Sequence, residues 1–255
     1  MATNASVEAI EAFHLVFLKL LETRLDRAWY VVKGGVNLRA WFGSALYSEA
    51  LDLDIVRGQR HALEEKVDRL LVAPAFNTLL ASQRLSLART AKPKQTETTQ
   101  RWKFEIQPLG GPLPLHTRVE FSRRGSEEEH VLEAVRPEIV RPYGLSAPTA
   151  NHYTARAAIR QKIEALAGRA EPQARDIWDL DHLLRTTGAD PRPLPPRVER
   201  ALPGAVDRAL ELPFDAFRAE VVPFLAPDHQ EVFGTARAWT TMCEHVASRL
   251  TELLG

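Results

Sequence analysis

The chain has 255 residues, enough for one large domain or two small ones at roughly 100–200 residues each. Hydrophobic residues make up 45%, so an ordinary core can be buried, and Lys+Arg balance Asp+Glu at 33 each, so a phosphate-binding surface has to be a local patch. The single cysteine, Cys243, excludes an internal disulfide and any multi-cysteine zinc site, and it fits a reducing cytoplasm.

In chain order, residues 5–27 place Val7, Ile10, Phe13, Phe17, Leu20 and Leu21 at helical spacing. A short β-rich run at 29–33 is broken by Gly34-Gly35, and Asn37 to Phe42 can start a helix. A strand is predicted at 51–56 and a helix at 61–81. Alternating apolar and polar residues at 84–89, 102–106 and 117–121 predict three antiparallel strands, with turn-rich pieces such as Leu109-Gly110-Gly111-Pro112 between them. The run Glu127-Glu128-Glu129 reads as a solvated turn and 130–135 as a further short strand. Pro142, Gly144 and Pro148 mark a boundary. Helices are predicted beyond it at 149–167, 172–186, 197–211, 213–222 and 228–253, with a Pro-rich linker at 190–196. The pattern is α+β, with a core domain at 1–147 and an all-helical domain at 148–255. No apolar run approaches the ~18–20 residues of a membrane span, and the N-terminus lacks a basic start followed by an apolar run. A cytoplasmic protein with no membrane partner is expected.

Asp52 and Asp54 in Leu51-Asp52-Leu53-Asp54-Ile55 are one residue apart in a strand, so both carboxylates point to one face. Such a pair repels itself and costs energy to desolvate, and a hard divalent cation such as Mg²⁺ is a reason to tolerate it. Gly34 and Gly35 follow a strand and lead into a helix, where free backbone N–H groups suit a triphosphate. Glu120, between Val119 and Phe121 on a later strand, supplies a third acid if its strand lies beside that of Asp52. Three carboxylates can hold two Mg²⁺ ions for phosphoryl or nucleotidyl transfer.

A second group lies on two predicted helices. Asp176 falls inside the apolar stripe of Ile177, Leu180, Leu183 and Leu184, with Asp179 at its margin. A charge there needs a partner, and Lys162, Arg169 and Arg175 are the candidates. Lys162 suits either a structural ion pair between the helices or contact with a phosphate. Third, Arg84, Arg89, Lys92, Lys94, Arg101 and Lys103 form a local basic patch around Trp102, which Arg118, Arg123 and Arg124 can extend. The patch reads either as an RNA-binding hairpin with an aromatic to stack a base, or as an edge protected by charge. The eight histidines show no metal-ligand spacing, and Trp41, Trp178 and Trp239 fit helical core faces.

Together these residues resemble the nucleotidyltransferase superfamily, with its strand, Gly-Gly or Gly-Ser turn, Asp-x-Asp strand and later carboxylate. More specifically, Lys33-Gly34-Gly35-Val36-Asn37-Leu38 and Ser48-Glu49-Ala50-Leu51-Asp52-Leu53-Asp54 resemble the opening motifs of the AbiEii/AbiGii toxins of type IV toxin–antitoxin systems, which include the MenT toxins. Lys162-Ile163-Glu164-Ala165-Leu166, Arg169 and Ala174-Arg175-Asp176-Ile177-Trp178-Asp179-Leu180 resemble the later motifs. The resemblance implies a bilobed protein with a nucleotidyltransferase lobe, built on a mixed or antiparallel sheet, and a helical lobe. It implies Mg²⁺-dependent transfer of a nucleoside monophosphate from an NTP to the 3′ end of tRNA, which blocks aminoacylation and translation, and a cognate antitoxin protein as partner. Carried onto this chain, Asp52, Asp54, Lys162 and Asp176 are catalytic, and Lys33, Gly34, Gly35, Arg175 and Asp179 bind the nucleotide. Asp52 and Asp54, with Glu120, hold the metal. The rival expectations are transfer to a protein hydroxyl or a small molecule, and a non-catalytic module that binds RNA or a partner.

Overall fold

A computed structural model describes residues 4–111, 113–124 and 128–254. Pro112 of the predicted turn and Glu127 of the acidic run lie outside them. The chain forms two compact units, one of Ala5–Gly43 with Tyr47–Tyr153, the other of Ser44–Leu46 with the segment from Thr154 onward.

The first unit opens with α1 (Asn4–Arg24), β1 (Tyr30–Lys33), α2 (Gly34–Phe42) and β2 (Ala50–Ile55). Next come α3 (Arg60–Leu71) and α4 (Pro74–Ser82), where a single helix was expected. Pro74 divides them, because the residue before a proline is driven out of the helical region and Pro itself favours a first helical turn. The predicted antiparallel strands are β3 (Leu85–Gln95), β4 (Thr99–Pro108) and β5 (Leu115–Ser122), followed by β6 (His130–Ala134) and the single turn α5 (Pro137–Val140). Two expectations fail here. Residues Thr149–Tyr153 form a strand, β7, and not the start of a helix. Glu128, expected in a solvated turn, is buried.

The seven strands form one mixed sheet in the order β3-β4-β5-β2-β1-β7-β6. The outer pairs and β1–β2 are antiparallel, while β2–β5 and β1–β7 are parallel. Side-chain alternation gives the sheet two chemically different faces. One carries Leu51, Leu53, Trp102, Phe104, Ile106, Val119 and Phe121, all buried in a core with Phe13 and Phe17 of α1, Leu63 and Val67 of α3, and Phe76 of α4. The other carries charge. Across it, Lys94 lies beside Arg101, Arg101 beside Glu120, Glu120 beside Asp52 and Asp52 beside Lys33.

In the second unit, α6 (Ala155–Gly168), α7 (Ala174–Thr186), α8 (Pro196–Glu211), α9 (Phe214–Glu220), α10 (Pro227–Phe233) and α11 (Ala236–Thr251) pack on one another. The expected helix at 228–253 is two, divided at Gly234. Helix α6 begins cleanly because Thr154 caps it, its side chain accepting the Ala157 N–H. Ile159, Ile163, Leu166, Ile177, Leu180, Leu183, Val198 and Leu202 are fully buried. Phe217 stacks between Trp178 and Trp239, with centroids 6.2 and 4.6 Å away. The Pro-rich stretch is no free linker, since the buried Arg160 donates to the carbonyls of Pro191 and Pro193, each at 2.7 Å. Among the described residues no helix is long and apolar enough to cross a membrane.

Phe104 is 1% exposed and its ring sits 4.9 Å from that of Phe13. Phe104→Ala is expected to destabilise the protein by about 3–5 kcal/mol, read as a lowered denaturant midpoint with unchanged slope.

Candidate active site

The antiparallel register sets Lys33 opposite Asp52 and Val31 opposite Asp54, so Lys33 and both aspartates share the charged face. Asp54 is buried and doubly held. Lys33 Nζ donates to Oδ1 at 2.5 Å, and the Tyr153 hydroxyl donates to Oδ2 at 2.8 Å. Tyr153 is itself 1% exposed, and its carbonyl accepts from Asn37 Nδ2 at 3.0 Å, which ties β7 to α2.

Helix α2 starts directly after β1, with Lys33 at the cap position and no side chain capping the first turn. The N–H groups that a helix leaves without intrahelical partners therefore lie next to the aspartate strand. Gly34 takes a φ of 66°, and a Cβ there would lie 3.5 Å from Asp52 Oδ2. A Cβ on Gly35 would come 2.8 Å from Ser48 Oγ, whose hydroxyl donates to the Ala50 carbonyl. Both glycines are thus required by local geometry, one by its backbone angle and one by a close neighbour.

Glu120 lies directly beside Asp52 in the parallel β2–β5 pair, as the sequence required for convergence. Its Oε2 accepts from Arg101 at 2.5 Å, so this carboxylate already has a cation. Among the described residues no group of three or more His, Cys, Asp or Glu side chains is arranged to hold a metal ion. Asp52 and Asp54 are two hard carboxylate donors on one face, with Gly34 packed beside Asp52 Oδ2.

Lys162, Asp176 and Asp179 meet in the helical unit. Lys162 Nζ lies 2.9 Å from Asp176 Oδ1 and 2.5 Å from Asp179 Oδ2, and Arg169 Nε donates to Asp176 Oδ2 at 2.7 Å. Burial opposes the Lys162 charge, but Asp179 and Asp176 hold the ammonium above the usual lysine range. Burial also works against the Asp176 carboxylate, yet Lys162 and Arg169 keep its pKa below the ordinary value. At Asp179 burial prevails over Lys162 and the pKa rises. Arg175 turns elsewhere, donating to the Glu220 carbonyl at 2.8 Å and lying over the Phe224 ring.

The basic patch is divided between the two sides of its hairpin. Lys92 reaches α3, with Glu64 and Asp68 each 2.8 Å from its Nζ. Arg89, Lys94, Arg101 and Lys103 follow the register of the charged face. Arg84 precedes β3 with a φ of 57°. Trp102 is fully buried and donates to Asp68 Oδ1 at 3.2 Å, so it stacks no base. Sequence reasoning missed Tyr153, because its strand was taken for helix.

A helix start with a paired-glycine turn, set against an Asp-x-Asp strand in a mixed sheet, defines a nucleotidyltransferase-type core. The sequence profile of the nucleotidyl transferase AbiEii toxin, type IV TA system, matches residues 17–252, and the chain belongs to this family. Its fold is similar to that of JHP933 from Helicobacter pylori, with a TM-score of 0.62 at 16% identity over 99% of this chain and 96% of that one. It is also similar to MenT4, a nucleotidyltransferase toxin from Mycobacterium tuberculosis, with a TM-score of 0.59 at 18% identity over 98% of this chain and 86% of that one. Comparison with curated proteins gives no match.

Two outcomes follow from the geometry. Gly34→Ala forces an L-residue into the left-handed region and is expected to cost about 1–2 kcal/mol, measured by equilibrium unfolding. Lys162→Met leaves two buried carboxylates without their shared cation and is expected to cost about 3–5 kcal/mol, which a thermal melt would register as a large drop in Tm.

Proposed function

We propose that the protein transfers a nucleoside monophosphate from an NTP to the 3′ end of tRNA, so that the tRNA can no longer be aminoacylated and translation stops. The observation that carries this reading is the Asp52–Asp54 pair facing the uncapped first turn of α2 across Gly34. In the reaction, the 3′-hydroxyl gives its proton to solvent as its oxygen bonds to the α-phosphorus of the NTP. The bond from that phosphorus to the bridging oxygen breaks, and pyrophosphate leaves with the electron pair.

The residues suit a divalent cation. Two carboxylates fit a Mg²⁺ ion that takes its remaining ligands from water and phosphate oxygens. Asp52 and Asp54 would hold it, and when bound it would neutralise phosphate charge and favour the leaving group. The α2 amides at Gly34 and Gly35 receive phosphate oxygens, aided by the helix dipole. Lys33 contributes a charge beside Asp54, and Tyr153 fixes the orientation of that carboxylate. In this reading Lys162 and Asp176 of the helical unit also serve the reaction, with Asp176 and Asp179 holding the Lys162 ammonium. Glu120 serves chiefly to neutralise Arg101 beside Asp52. Membership of a type IV toxin family brings with it an antitoxin partner.

Incubation of the protein with Mg²⁺, total tRNA and each labelled NTP in turn is expected to place label in the RNA with at least one NTP. The label should be lost with Asp52→Ala or chelator. Tyr153→Phe, which removes only the hydroxyl donated to Asp54, is expected to lower the rate about 10–100-fold. Label appearing only in protein, or with no NTP at all, would overturn the reading.

A further inference from the structure

The charged face holds a concavity of about 460 Å³ that the proposed chemistry does not use. Its lining includes Glu49, Arg89, Lys103, Glu105, His116 and Arg118. The β4–β5 register puts Lys103 directly opposite Arg118. Like charges in such a cross-strand pair destabilise a sheet.

The two same-face acids of β4 and β5 do not relieve the pair. Glu120, one same-face row away, is engaged by Arg101. Glu105, one row away on the other side, lies 3.5 Å from Arg89. Among the described residues neither the Lys103 ammonium nor the Arg118 guanidinium forms a hydrogen bond or ion pair. Two unpaired cations at the wall of a concavity, with Arg89 at 72% side-chain exposure beside them, make a site for an anion.

The position of the pair indicates which anion. In the β2–β5 register Arg118 lies beside Ala50, and Glu120 lies beside Asp52. Two residues along a strand span about 7 Å, so the cation pair sits one same-face row from Asp52. That is about the reach of one nucleotide along a backbone. Of the two rings in the lining, Phe104 is 1% exposed, and only the exposed imidazole of His116, opposite Glu105, is open to a base. The cations dominate the site, which suits a phosphodiester and tolerates any sequence.

We propose that Lys103 and Arg118, with Arg89 at the rim, form a subsite for the phosphodiester backbone of the acceptor nucleic acid, next to the Asp52 row. The subsite rests on the nucleotidyltransferase reading only for its purpose, and its ligand can be tested alone.

The probe is a fluorescently labelled RNA oligonucleotide with a single-stranded 3′ end, titrated by anisotropy at several salt concentrations against wild type, Asp52→Ala and the double variant Lys103→Gln/Arg118→Gln. Because the pair is mutually repulsive and unpartnered, the double variant should keep or raise the wild-type Tm. Its RNA affinity is expected to fall about tenfold, and the slope of log affinity against log salt should shrink by about 1.4, roughly 0.7 per lost contact to a single strand. Binding of a non-hydrolysable NTP with Mg²⁺ should not change. Asp52→Ala should retain RNA binding while losing transfer. An unchanged RNA affinity and salt slope in the folded double variant would overturn the subsite. Weakened NTP binding with unchanged RNA binding would assign the cations to the triphosphate and overturn it equally. If wild type bound RNA through these two residues yet transferred no nucleotide to it, the proposed function would fail and the subsite would stand.

Discussion

The alignment of β1, β2, β4 and β5 is the constraint on which the rest of the sheet unit depends. With Lys33 opposite Asp52 and Glu120 beside it, the acids and bases fall in rows on one face while Leu51, Leu53, Val119 and Phe121 fall on the other. A slip of one residue between β1 and β2 would turn the aspartates into the core and expose the leucines, so the hydrophobic pattern enforces the chemical one. The candidate site is thus held in place by the burial of the residues that alternate with it.

The two charged groups spend that rigidity differently. On the sheet, Asp54 is fixed by one cation and one hydroxyl, and Asp52 packs beside the glycine that starts α2. In the helical unit, Lys162 and Arg169 meet Asp176 and Asp179 in a group whose formal charges cancel. Such a group orients α6 against α7, and orientation rather than net stability is the better-attested use of buried charge.

Much of this was readable from residue order, and the reasons for the rest are physical. Strand β2 was legible because acids alternate with leucines, and so was the need for a cation beside Asp176, with Lys162, Arg169 and Arg175 as candidates, because a charge inside an apolar stripe demands a partner. The α+β class followed from the same periodicities. Strand β7 was not legible: Ala150, His152 and Tyr153 are all buried and run into α6 with only Thr154 between, so their pattern merges with that of the helix. The burial of Trp102 followed from alternation with Lys103, yet its basic neighbours suggested a surface role. Pairings such as Lys103 with Arg118 were beyond reach, because strand partners far apart in sequence become known only with the register.

The tryptophans are natural reporters of the two units. Trp102 is sealed in the sheet core against Asp68, whereas Trp178 and Trp239 sandwich Phe217 in the helical unit and donate to Ser44 and to the Leu212 carbonyl. Each half of the molecule therefore contains its own intrinsic chromophores in dry, aromatic or carboxylate-bonded surroundings. Emission from Trp178 and Trp239, once Trp29, Trp41 and Trp102 are replaced by phenylalanine, would let the melting of the helical unit be followed separately without any external dye.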